Sequence, residues 1–207
     1  MCMGISHDSA RCDRAELVWV PSMGGPLIVV PESSVNAWTG CAAAGSVDAE
    51  GRDDYDRACE VEDWAGVITV GAGAATVLVL ADEPATTCFL PEKLLFVRWL
   101  AADSENELFA AAEAVLLDPD TAWEDGGLWA TDGPAVLMDS AEAGADLGAE
   151  YPDGGRPGQA PVELPAGRWR VRAAHRTEEF PWVGVVRLVP QGGPVGSAAA
   201  GSCGGFN

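Results

Sequence analysis

Histidine is scarce in this 207-residue sequence: there are two, His7 and His175, and neither stands near an elbow-type serine. Nucleophilic catalysis needs a nucleophile with a base beside it, so Ser–His and Cys–His arrangements have no visible carrier. His175 reads as a β-hairpin residue rather than a general base. The six cysteines (Cys2, Cys12, Cys41, Cys59, Cys88 and Cys203) include no C-x-x-C pair. That removes the common zinc and dithiol spacings and leaves free thiols in a reducing compartment. Basic residues are few, 12 Lys and Arg against 32 Asp and Glu, for a formal net charge of −20. Such a chain repels nucleic acid and anionic membranes and favours a basic partner. No apolar run approaches the roughly 20 residues that span a bilayer. Met1–Leu17 carries Arg11, Asp13 and Arg14 but no apolar core of signal-peptide length. The expectation is a cytoplasmic protein. Gly71-Ala72-Gly73 has no following helix with Lys or Ser/Thr, so it reads as a turn and not a phosphate loop. Asp118, Asp120, Asp132 and Asp139 lack the spacing of a calcium loop. No cofactor and no metal ligand set is therefore assigned.

What the chain does have is β-type sequence. Hydrophobic residues make up 48% and charged residues 21%, a globular composition. The stretch from Trp64 to Leu100 is the centre, with runs at Ala65–Val70, Ala75–Leu80, Thr86–Leu90 and Leu94–Leu100. Val, Ile, Leu, Phe and Thr fill the runs, and Gly and Pro sit at their ends, so they read as a meander. Upstream, Glu16–Val20 and Pro26–Val30 read as two strands joined by a Pro/Gly turn. Pro31–Thr39 reads as a helical turn or two that presses Val35 and Trp38 onto the sheet. Cys41–Arg52 reads as a loop insertion.

Ser104–Leu117 has the strongest helix signal. Ser104 caps it, Glu107 completes a capping box, and Leu108, Ala111, Ala112, Val115 and Leu116 share one face. Asp118-Pro119 ends it. Downstream, Trp123–Thr131 reads as an irregular pair around Gly126-Gly127 and Pro134–Asp139 as a strand. Ala141–Gln159 reads as a long loop, and Arg168–Arg176 with Pro181–Val189 as a long hairpin. The predicted class is α+β: mostly antiparallel sheet with one main amphipathic helix packed on it. Residues 1–15 read as a flexible arm, 16–190 as a single domain, and 191–207 as a disordered Gly/Ala/Ser-rich tail.

Three features could carry recognition. Asp53–Asp63 is the most acidic window, with Asp53, Asp54, Asp56, Glu60, Glu62 and Asp63 against Arg57, and Tyr55 as an aromatic anchor. The Asp82-Glu83 turn and the Trp123, Glu124, Asp125 segment extend it at strand ends, where loops on a rigid scaffold carry recognition. Against this stands the plainer reading that the carboxylates only solvate the surface. Arg168, Arg170 and Arg172 alternate with Trp169, Val171 and Ala173, which puts the arginines on one face, paired with the acidic remainder. Most of the eight tryptophans belong in the core.

Several strings act together: LVWVPSMGGPLIVVPES, DYDRACEVEDWAGVITVG, DEPATTCFLPE, FVRWLAADSENEL, TDGPAVLMDS and LPAGRWRVRA. In this order the chain resembles the immunity protein 21 family of bacterial polymorphic toxin systems, over roughly Glu16–Pro190. The resemblance implies a non-enzymatic protein that binds and neutralises a cognate toxin by stoichiometric complex formation. It carries over neither catalytic nor toxin-contacting residues. The partner it implies is a toxin, and the charge asks for a basic one. Two other readings remain: a small Asp/Glu-dependent or metal-dependent hydrolase, and an acidic regulatory binding protein with no toxin partner.

Overall fold

The computed structural model describes residues 17–41, 47–48, 51–70, 75–81 and 84–192. The 1–15 arm, the 71–73 link, Asp82-Glu83, part of the Cys41–Arg52 loop and the tail beyond Gly192 lie outside the described residues. Among the described residues, eleven strands form two antiparallel sheets. The six-stranded sheet runs β1 (Trp19–Val20), β5 (Thr86–Leu90), β6 (Leu95–Ala101), β11 (Trp182–Pro190), β10 (Gly167–Arg176), β7 (Glu124–Thr131). The five-stranded sheet runs β3 (Ala65–Thr69), β4 (Thr76–Leu80), β2 (Leu27–Pro31), β8 (Ala135–Asp139), β9 (Gln159–Val162). The helices are α1 (Asp54–Cys59) and α2 (Glu105–Leu117), with short 3-10 turns at Glu32–Ala37, Pro91–Lys93 and Gly144–Asp146. The protein is α+β and mostly antiparallel β, as its residue pattern predicts.

Strand alternation divides the apolar residues into three clusters. Leu27, Val29, Leu78, Leu80 and Leu137 of one sheet meet Phe96, Trp129, Trp169, Val171 and Val186 of the other, and this is the core between the sheets. Successive strand residues point to opposite faces, so Ile28, Val30, Val77, Val79 and Met138 form the outer face of the five-stranded sheet, where Trp38 and Ala58 cover it. Leu95, Val97, Val183 and Val185 form the outer face of the six-stranded sheet, under Leu108, Ala111, Ala112 and Val115 of α2. Each such fully buried Val or Leu side chain contributes about 1.5–3 kcal/mol. The covering of the five-stranded sheet leaves little slack. A Cβ on Gly144 would stand 1.9 Å from the Val35 carbonyl oxygen, so only glycine fits where the two 3-10 turns cross.

Three links differ from the expected path. The Trp64–Leu100 stretch is not one meander but two hairpins, β3–β4 and β5–β6, in different sheets. β4 has β3 on one side and β2 on the other, so β5 cannot pair with β4, and it lies in the second sheet. β1 and β2 are likewise separated rather than paired, because β2 lies between β4 and β8. Trp123–Thr131 is one strand with a register shift opposite Arg170/Arg172, and not a pair of strands. The long hairpin and the main helix form where expected. The β10–β11 hairpin pairs from Trp169↔Pro190 to Arg176↔Val183, with Trp169, Val171 and Ala173 buried and Arg168 and Arg170 exposed. Ser104 caps α2 by accepting the Glu107 N–H at 3.3 Å, but the Glu107 carboxylate makes no reciprocal bond, so the expected capping box is not completed.

Candidate interaction surface

The acidic window folds into α1, and its carboxylates divide by role. Asp53 accepts the Asp56 N–H at 2.8 Å while Asp56 accepts the Asp53 N–H at 3.2 Å, a capping box that starts the helix. Asp54 turns inward and is 3% exposed. It accepts the Thr39 N–H at 2.7 Å and the Thr39 hydroxyl at 2.9 Å, and pairs with Arg57. Arg57 in turn donates to the Thr69 carbonyl at 2.8 Å, tying α1 to β3. Glu60 pairs with Arg52. Tyr55 lies half-buried with its ring against Gly25. The Cys59 thiol beside it, followed by partial burial, holds its phenol above the ordinary range. Glu62 and Asp63 are exposed and, among the described residues, have no hydrogen-bond or ion-pair partner.

Glu62 and Asp63 lead into Trp64, and Trp64 is the hub of one end of the sandwich. Its N–H donates to Glu124 at 3.2 Å, its carbonyl accepts from the Ala81 N–H at 3.1 Å, and its indole stacks on His175 at 4.6 Å. Ala81 is the residue before Asp82. The structure therefore brings the end of the acidic window and the Trp123–Asp125 segment together around Trp64, with Ala81 beside them. Glu124 and Asp125 belong to β7 rather than to a loop, and Asp125 pairs with Arg170. Trp123 is half-buried against the α2 cluster. His175 sits within 3.3 Å of the Arg98 guanidinium, and Arg98 is 1% exposed. A histidine between an indole and a buried guanidinium is a packing residue rather than a free base.

The same end carries residues with no signal in the sequence. The turn between β10 and β11 follows His175 and Arg176 and exposes Phe180 at 55% and Trp182 at 44%. Trp182 pairs with Ala101, which brings exposed Asp103 to this end as well. Glu178 and Glu179 are exposed in the turn, and Glu179 stands 3.9 Å from Arg176. Most tryptophans read as core; the tertiary placement puts Trp182 outside it. The core expectation does hold for Trp38, Trp129 and Trp169, which are buried, and in part for the four half-buried indoles.

The aspartates weighed as ligands stand apart. Asp118 accepts from the Asp120 N–H, Asp132 from the Ser33 hydroxyl, and Asp139 from the Met23 and Ala141 N–H groups, at separate places. Among the described residues no group of three or more His, Cys, Asp or Glu is placed to hold a metal ion. Cys41 and Cys59 are exposed free thiols; Cys88 is buried, and burial pushes its thiol up to about 12. A cleft of about 820 Å³ lies at the opposite edge of the sandwich, between β1, β5, β9 and α2. No histidine or cysteine lines it; of its carboxylates, Glu105 accepts from the Trp19 indole and Glu113 pairs with Lys93. No helix among the described residues is long and apolar enough to cross a membrane.

Comparison with known proteins finds no curated protein and no solved structure that matches. One family does. The immunity protein 21 family matches residues 18–179, a span that runs from β1 through both sheets to the β10–β11 turn. The chain belongs to the immunity protein 21 family.

Proposed function

We propose that this chain is a cytoplasmic immunity protein of a bacterial polymorphic toxin system, and that it neutralises a cognate toxin by forming a one-to-one complex without catalysis. Membership of the immunity protein 21 family is the observation that carries the reading. The net charge of −20 suits a basic toxin. An interface of standard size would cover about 800 Å² on each partner. The Trp64 end of the sandwich supports such a contact, because it gathers half-buried aromatics on strand ends with Glu62 and Asp63, which have no internal partner among the described residues.

In this reading the twelve candidate residues have unequal parts. Glu62, Asp63, Asp82, Glu83, Glu124 and Asp125 face the toxin with Trp123. Asp53, Asp56, Glu60 and Tyr55 shape the neighbouring α1 surface, and Asp54 acts only by holding α1 in place. A complex isolated from cells that co-express the chain with the toxin encoded beside it tests the pairing; absence of a complex would argue against it. Carboxylates at the rim act mainly on encounter. Glu62→Lys combined with Asp63→Lys is expected to slow association by about tenfold, since each reversal turns attraction into repulsion. Raising the salt should shrink that difference. Stopped-flow association rates measure both, and an on-rate equal to wild type at low salt would remove these two residues from the surface.

A further inference from the structure

We propose that Phe180 and Trp182 are the anchors that hold the bound toxin, inserted into an apolar pocket of the toxin with Lys or Arg at its mouth. The proposal rests on the toxin-binding reading and adds to it the residues that supply affinity and the chemistry of the toxin's receiving site.

Of the eight tryptophans, seven are buried or half-buried, and Trp182 alone is exposed. Neither Trp182 nor Phe180 belongs to any of the three apolar clusters, so neither serves the core. Leaving large aromatic surface in water forgoes about 25 cal/mol for each Å² that could be buried. Trp and other large aromatics are the residues that dominate binding energy when a partner buries them. The backbone beneath Trp182 is already fixed. Trp182 pairs with Ala101 of β6, and the next residue, Val183, pairs with both Arg176 and Trp99. An anchor on a paired strand loses little conformational entropy on binding.

The surroundings select the partner. Glu178 and Glu179 precede Phe180 in the turn, Asp103 follows the strand that pairs with Trp182, and Glu62 and Asp63 lead into Trp64, which stacks on His175 before the turn. An anionic surface such as nucleic acid or a phospholipid membrane would be repelled here. A basic protein surface with an apolar centre is complementary in both charge and polarity. Anchors and carboxylates should then separate kinetically, the first acting on dissociation and the second on association.

The test uses the full chain and the purified toxin domain encoded beside it. Phe180→Ala and Trp182→Ala are each expected to raise the dissociation rate about thirtyfold, the scale of a hot-spot residue. Association should stay within about twofold and the urea midpoint should match wild type, because the core does not use these side chains. Hydroxyl-radical footprinting gives a readout without substitution: Trp182 should be labelled in the free chain and shielded in the complex. If wild type binds while both variants dissociate at the wild-type rate, or Trp182 is labelled equally in the complex, the anchor assignment is wrong and the toxin-binding reading stands. If wild type itself fails to bind the toxin, the toxin-binding reading is wrong and the anchors fall with it.

Discussion

Replacing Trp129 by alanine is expected to lower the unfolding free energy by about 4 kcal/mol, near the top of the range for a single truncation. Trp129 lies in β7 with no exposed surface and sits between the two sheets. Its indole N–H donates to the Thr76 carbonyl at 3.0 Å, so one side chain ties the edge strand of one sheet to β4 of the other. Across the β7–β10 pairing it stands opposite Trp169, and the two indoles fill the core where β3 and β7 meet. Alanine leaves a void too large for the neighbours to close and removes the only tie that the indole makes. Against a total stability of about 5–15 kcal/mol, such a loss is large. Urea denaturation measures it. A change below about 2 kcal/mol would mean that the sheets close over the void. Trp182→Ala serves as the internal control: the same deletion at an exposed position should move stability by no more than about 0.5 kcal/mol.

The second large effect is expected at Asp54. Its carboxylate accepts two bonds from Thr39 and pairs with Arg57, whose side chain is 16% exposed. Asp54→Ala removes all three interactions and leaves a largely buried guanidinium without its counter-charge, a change that costs about 3 kcal/mol. Asp54→Asn keeps an acceptor for Thr39 but not the charge, so it should cost roughly half as much. Glu62→Ala, in the same acidic window but without a partner, should change stability by less than about 0.5 kcal/mol. Chemical denaturation of the three variants gives the order directly. Equal effects at Asp54 and Glu62 would contradict the division of the window into framework and surface carboxylates.

That division marks the boundary of what the residues alone reveal. The strands of the β10–β11 hairpin were legible because Arg168–Ala173 alternates basic and apolar residues. α2 was legible because Ser104 and Asp118-Pro119 bracket a helical stripe. The split into two sheets was not, since the links from β1 to β2 and from β4 to β5 have hairpin length and composition. What forces the crossing is that β2 and β4 already have neighbours on both sides, a fact about non-local pairing. The acidity of Asp53–Asp63 was visible, but its use was not. Asp53 and Asp56, three residues apart, form a capping signal that the density of carboxylates obscured. Asp54 looks like its neighbours in sequence and differs only by facing Thr39. Trp182 reads as core for a similar reason. Local pattern says which residues prefer to be buried; it does not say which strand end lies beyond the edge of the core.

The most direct measurement of the central claim is a titration of toxin activity with the purified chain, using the toxin encoded beside it. A binding protein that neutralises by occupying its target gives inhibition that rises linearly and completes at one equivalent. Inhibition complete at a small fraction of an equivalent would mean turnover, and no inhibition at any ratio would mean no such partnership. Either result would contradict the account.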